Sequence, residues 1–346
     1  MILFRVVSNT QNHKFTIFKA NSYGLKHFYS RFLILVKIQE YVVLFIITLI
    51  LIACLGYLAQ TTGLCMVKGV NQAAKGKPMF LAAILLSGTF AWLPLLIANV
   101  TLDHSSLASH QATWFSAIGG LLFGFGAAVN QGCGVSTVSR LTRGDMAMMV
   151  TIFGWLTGWV LLASFIDKVE SDVYILPPSM HFMGMALLSI LLVVALFRFN
   201  NDNKKLWLSM LSIGMMASIV FLYEPHWTPS GLLKDISLFV WYGNEQQWPS
   251  AERFLLILSL VMGMLIAAIF TRSFVFKWMT IRQVVKHLSA GILMGMGAVL
   301  ANGGNDTQLL LALPAFSPAG LVAVLCMLLG IYLGGVVSNM TVLKVN

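Results

Sequence analysis

A chain of 346 residues that is 58% hydrophobic and only 10% charged departs from soluble composition on both counts, since soluble domains hold roughly 45–50% apolar and about 25% charged residues. The length would suit two soluble domains, but no polar stretch is long enough to house either, which excludes a cytosolic enzyme and a nucleic-acid-binding module. The net charge of +10 is therefore a matter of which loops carry it, not of an acidic partner.

Residues 1–40 mix basic and aromatic side chains without an A-x-A cleavage site. This predicts a basic segment on the membrane surface, not a signal peptide, although a translation start placed too early would leave the same signature. Apolar runs of spanning length follow near 41–59, 79–100, 114–129, 146–166, 181–199, 206–223, 253–271, 287–301 and 317–337. They predict an all-α integral membrane protein of about nine transmembrane helices, with a first repeat over 41–166, a linking helix over 181–199 and a second repeat over 206–337. Thirteen Lys and Arg follow the odd-numbered spans and three follow the even-numbered ones. The larger group marks the cytoplasmic side, with the N-terminus outside and the C-terminus inside; the six basic residues of the extension are the dissenting signal.

The repeat is visible in one motif. GLLFGFGAAVNQGC, starting at Gly120, recurs as GILMGMGAVLANGG, starting at Gly291, 171 residues later, with six of fourteen positions identical. A single span between two four-span units would invert the second unit relative to the first, so that polar loops enter from opposite faces and meet centrally. The loops at 60–77 and 130–145 would re-enter from the cytoplasm, and those at 226–243 and 302–316 from outside. Gly120 and Gly124, Gly291 and Gly295, Gly154 and Gly158, and Gly330 and Gly334 are each four apart, which predicts close helix packing. Gly132, Gly134, Gly303 and Gly304, with Gln131 and Asn305, instead break the apolar runs. They could free the first amides of a half-helix for an anion.

The four cysteines divide by context. Cys54 and Cys326 sit inside continuous apolar runs, where a thiol behaves as a small hydrophobe. Cys65, in QTTGLCMVKG, and Cys133, in NQGCGVST, lie at the expected re-entry loops. No CxxC occurs and no histidine neighbours either thiol in sequence, so neither zinc binding nor a thioredoxin-like pair is expected, and no cofactor or metal is called for. HExxH and GxSxG are absent, which argues against an enzyme. A channel for another small solute remains the competing reading. Arg140 and Arg143 would stand at the cytoplasmic exit or against lipid headgroups.

GYLAQTTGLCMVKGV, FGFGAAVNQGCGVSTVSRLTRGD with its following GWLTG, and GMGAVLANGGN leading into LLGIYLGG together resemble the YeeE/YedE family of bacterial sulfur-transport membrane proteins. The resemblance covers most of residues 41–337. It implies a multi-pass inner-membrane carrier of hourglass shape that imports thiosulfate or a related sulfur anion along cysteine thiols; a cytoplasmic sulfur-carrier protein is a candidate partner, and a transporter or channel for another sulfur or selenium species, or a membrane thiol enzyme, is the alternative. Cys65 and Cys133 match two of the thiol positions. A third family position, usually cysteine, is Gly304 here, and aligning SGLL with TGLC puts Leu233 opposite Cys65. The outer half of the path thus lacks thiols, and Gly304→Cys, which restores the family pattern, is expected to be tolerated.

Overall fold

The computed structural model describes residues 22–94, 96–97, 109–169, 172–174 and 176–343. Among them the chain is helical, with two isolated β-bridges, His110 to Val173 and Asp145 to Lys277. Residues 1–21 of the expected extension lie outside the described part. From Ser22 the chain is already inside helix α1 (Ser22–Thr62), which runs on through position 40 without a break. Residues Ile46–Asn346 form one compact unit.

Within that unit α1 is followed by α2 (Met66–Ala74), α3 (Met79–Leu85), α4 (Trp114–Asn130), α5 (Gly134–Leu141) and α6 (Ala147–Leu161). Then come α7 (Pro178–Arg198), α8 (Asn201–Tyr223), α9 (Pro229–Tyr242), α10 (Ala251–Phe270), α11 (Ile281–Leu300), the single turn α12 (Asn305–Thr307) and α13 (Pro318–Leu343). Seven segments among the described residues are long and apolar enough to cross a membrane: 41–74, 114–141, 178–198, 201–223, 245–270, 281–300 and 318–337. The runs near 79–100 and 146–166, which would make nine, form the shorter apolar helices Met79–Pro94 and Ala147–Leu161 among the described residues, and positions 95 and 98–100 lie outside these. The first is interrupted by a 3₁₀ turn at Ser87–Phe90, where Gly88 lies against Pro314 and Gly214 of α8 lies on the Ser87 carbonyl. Tertiary contact sets that break, and hydropathy carries no sign of it.

The paired glycines do pack helices, and their contacts expose an internal symmetry. A methyl group on Gly120 of α4 would overlap the Ala323 carbonyl of α13, and one on Gly291 of α11 would overlap the Thr151 carbonyl of α6. Gly124 stands in the same way on Met327, and Gly295 on Trp155. Each contact recurs with the two halves exchanged, which is the signature of a two-fold relation. At the centre α4 and α11 touch each other. Gly126 lies 2.8 Å, measured to an ideal Cβ, from the Ala290 carbonyl, and Gly297 lies 2.7 Å from the Gly119 carbonyl. Early residues of α4 therefore meet late residues of α11, so the two helices run antiparallel and the pseudo-two-fold lies across them.

Both central helices end alike. Gln131 (φ 59°) and Asn302 (φ 54°) take the left-handed conformation, Gly132 N–H donates to the Ala127 carbonyl at 2.9 Å, and Gly303 N–H donates to Ala298 at 2.8 Å. These are helix C-terminal closures, matched residue for residue at the 171-residue offset. Gly303, at φ 141°, is the one position here that a side chain could not occupy without strain.

Candidate functional site

After each closure the chain starts a new short helix, and Cys133 and Gly304 occupy the same place: the residue preceding α5 and α12, with φ, ψ of −80°, −178° and −77°, −176°. Cys65 holds the corresponding position before α2 and Thr228 before α9. By place in the fold the counterpart of Cys65 is thus Thr228, not Leu233. Two residues, Gly63 and Leu64, separate α1 from Cys65, whereas four separate α8 from Thr228, and this shifts the register.

The starts of the four short helices converge. The Cys65 thiol lies against the Cys133 thiol and the Ser136 side chain, so α2 meets α5 through sulfur. Cys133 is 1% exposed, and the Ser136 hydroxyl reaches its Sγ at 3.6 Å. Both thiols are free. The Asn305 side chain accepts from Gly134 N–H at 3.1 Å, joining α5 to α12. Gly304 N–H donates to Ser230 Oγ at 3.2 Å, and Asp306 accepts from both Ser230 N–H, at 2.9 Å, and the Ser230 hydroxyl, joining α12 to α9. Trp155 of α6 lies over both Gly134 and Gly304, 2.7 and 3.2 Å from where a Cβ would stand.

These bonds correct one expectation. The amides of Gly132, Gly134, Gly303 and Gly304 are all engaged inside the protein, so the glycines shape the junction without leaving those N–H groups open to an anion. The nearby hydroxyls are engaged too, Ser136 and Thr137 on the Cys133 carbonyl at 3.1 and 2.9 Å and Ser230 on Asp306, which leaves the two thiols facing each other at the junction. Gln131, also expected on the path, is exposed on the loop surface.

The arginines are also held internally. Arg140 ion-pairs with Asp145 at 2.8 Å and donates to the Asn130 carbonyl at 2.9 Å, closing the end of α4. Arg143 donates to Ser139 Oγ at 3.0 Å, and with the Gln60 amide turned to satisfy both neighbours, Arg143 Nε also reaches Gln60 Oε1 at 2.8 Å. Gln60, Ser139 and Arg143 thus form one polar cluster joining α1 to α5 and the turn after it.

Asn130 is the residue that sequence reading undervalued. Fully buried, it donates through Nδ2 to the Gly132 carbonyl (2.9 Å) and Thr137 Oγ1 (2.8 Å). Its Oδ1 accepts from Thr151 (2.8 Å) and from His287 Nδ1 (2.7 Å). Four elements, α4, α5, α6 and α11, are tied through one amide. His287 was set aside because no thiol neighbours it in sequence, yet it supports the Cys133 loop at one remove across 157 positions. Asn130→Ala removes four buried hydrogen bonds, although Thr137 keeps its bond to the Cys133 carbonyl. At roughly 1 kcal/mol each this predicts a loss of about 3–4 kcal/mol, against about 1 kcal/mol for Thr151→Val, measurable by unfolding in mixed detergent micelles.

On the α9 side a cavity of about 410 Å³ opens toward the junction, lined among others by Thr228, Ser230, Lys234, Asn302, Thr307 and Gln308. Lys234 Nζ lies 3.4 Å from Asn302 Oδ1. Trp159 Nε1 and Gln308 Oε1, on buried residues that line it, have no protein partner. Cys54 is exposed on α1, and Cys326 of α13 packs beside Gly120, so neither thiol joins the junction.

Seven helices among the described residues that are long and apolar enough to cross a membrane, with a junction of short helix starts, define a multi-pass membrane protein. The chain belongs to the sulphur transport family, whose model matches it twice in tandem, over residues 61–201 and 198–333. It is similar to the thiosulfate transporter TsuA of Escherichia coli (strain K12), with 22% identity over 323 residues, covering 81% of this chain and 90% of the relative. The double match falls on the same two halves that the glycine contacts relate.

Proposed function

We propose that this protein imports thiosulfate, or a closely related sulfur anion, across a bacterial inner membrane. The anion would enter through the α9-side cavity, pass Gly304 and Cys133 and leave beside Cys65. The observation that carries the reading is the Cys65–Cys133 thiol pair, with Cys133 buried and Cys65 partly so, at the start of α2 and α5. A thiol suits a soft, polarisable terminal sulfur, and Ser136 offers a hydroxyl to the oxygens. Neutral donors hold the anion without burying a fixed cation, so release stays fast.

The two halves act as inverted repeats in this reading, with α2 and α5 re-entering from the cytoplasm and α9 and α12 from outside. The antiparallel α4–α11 contact supports it, as does the loop charge. Lys234, one of the few cations on the outer side, would draw anions into the cavity. The site works as a path and not as a catalytic centre. His287 is turned to Asn130, which argues against thiol activation by that imidazole. A cytoplasmic sulfur-carrier protein is the proposed recipient. Expression in a bacterium that lacks thiosulfate uptake should restore growth on thiosulfate as sole sulfur source. Absence of growth with the protein inserted in the membrane would overturn thiosulfate as substrate, and growth on another sulfur or selenium species alone would replace it.

A further inference from the structure

The thiol-free half of the junction holds an ionisable group that the anion path does not use. Asp306 is 3% exposed, stands beside Gly304, and has both carboxylate oxygens on Ser230. Among the described residues no Lys, Arg or His forms an ion pair with it. Around it Ser230 presents from α9, Gly304 and Thr307 from its own turn, and the Trp155 ring from α6 over Gly304. The nearby charges are committed elsewhere: Arg253 to Asp235 and Glu224, His226 to Asp235, and Lys234 to Asn302. His110 lines the cavity, and Cys133 lies beyond Asn305.

Ser230, Gly303 and Thr307 line the 410 Å³ cavity, so Asp306 stands one side chain away from it, linked by the Ser230 hydroxyl. A second observation points the same way. Gln308 Oε1, buried and without a protein partner, lines the same cavity while its Nε2 is fixed on the Ala301 carbonyl at 2.7 Å. The orphaned acceptor calls for a donor, and a buried carboxylate held by hydrogen bonds alone, with no cation, gains from taking a proton when a dianion stands beside it.

We propose that the protein moves one proton inward with each anion and that the Asp306 carboxyl carries it. A carboxylate oxygen takes a proton arriving from the outer cavity, giving a neutral acid while the anion stands at Gly304. No bond of the anion is made or broken. The proton leaves on the inner side once the anion has moved past Cys133 toward Cys65, and the carboxylate reforms. The inference rests on the transport reading above and adds its energy source.

The test is an equilibrium one, in liposomes holding the purified full chain, with the membrane potential clamped at zero and labelled thiosulfate as probe. One proton per anion predicts an accumulation ratio of about ten for each unit of inward pH gradient, since one pH unit is a factor of ten in proton activity. This ratio is thermodynamic, so a pH effect elsewhere in the chain that alters only the rate leaves it unchanged. In Asp306→Asn the ratio should fall to one at every gradient, approached both by loading and by unloading. A wild-type ratio of one in the presence of uptake would overturn the proton step alone. An Asp306→Asn ratio that still follows the gradient would overturn the assignment to this residue. No uptake of any sulfur anion would overturn the transport reading, and this inference with it.

Discussion

Cys133→Ala is expected to lower thiosulfate uptake by roughly ten- to a hundredfold, the worth of one hydrogen bond to a charged group. The loss follows from position. Cys133 is the most enclosed of the four thiols, touches Cys65 across the junction, and sits where Gly134 and Gly304 lie under the same Trp155 ring. Ala keeps the backbone geometry at φ −80°, ψ −178°, which any residue adopts, so the fold should survive. Cys54→Ala and Cys326→Ala remove thiols far from the junction and should leave uptake within about twofold of the parent. Cys65→Ala should fall between, since its thiol is only partly buried and Cys133 remains. Radiolabelled uptake in cells, normalised to membrane-inserted protein, distinguishes these. Equal tolerance at all four positions would return Cys133 to a packing role.

The second large effect is expected at Gly304. Its φ of −77° imposes no strain, so the constraint is space: a Cβ would overlap the Ser230 hydroxyl and come within 2.8 Å of Asp306 Oδ1 and 3.2 Å of Trp155. Gly304→Leu should abolish transport and destabilise the junction, because overpacking of this kind costs about 1–3 kcal/mol or more. The same overlap withdraws the expectation that Gly304→Cys is benign. Cysteine also brings a Cβ, so Ser230 must turn away from Asp306 before a thiol can enter, and Gly304→Cys should transport worse than the parent unless paired with Ser230→Ala. Parental rates in Gly304→Leu would mean that this turn does not border the path.

The 171-residue repeat could be read from the sequence to the residue because both central helices close and restart with loops of equal length, so Cys133 and Gly304 align in the chain as they do in space. The four-residue glycine spacing was equally legible, since small residues on one helix face state their own contact. The counterpart of Cys65 was not. The loop before Thr228 is two residues longer than the loop before Cys65, and sequence alignment followed the look of SGLL and TGLC instead of the helix start. Nor could apolar content reveal that the run after Met79 breaks at Ser87–Phe90, because Pro314 and Gly214 approach it from distant parts of the chain.

Polar contacts were the least legible layer. The glycine amides looked free because their partners, Asn305 for Gly134 and Ser230 for Gly304, lie 171 and 74 positions away. The tie between Arg140 and Asp145 is equally hidden, because it forms only through the turn at Gly144, whose φ of 94° folds the chain back. The bond between Asn130 and His287 is hidden for the same reason, since 157 positions separate them. A single buried amide becomes a hub only once four helices have converged on it.

The most direct test of the account is uptake of labelled thiosulfate by the purified protein alone in sealed liposomes. The account predicts saturable, protein-dependent uptake that Cys133→Ala lowers by roughly tenfold or more and Cys326→Ala preserves. Liposomes that take up no more thiosulfate than protein-free vesicles, with the protein folded and inserted, would contradict it.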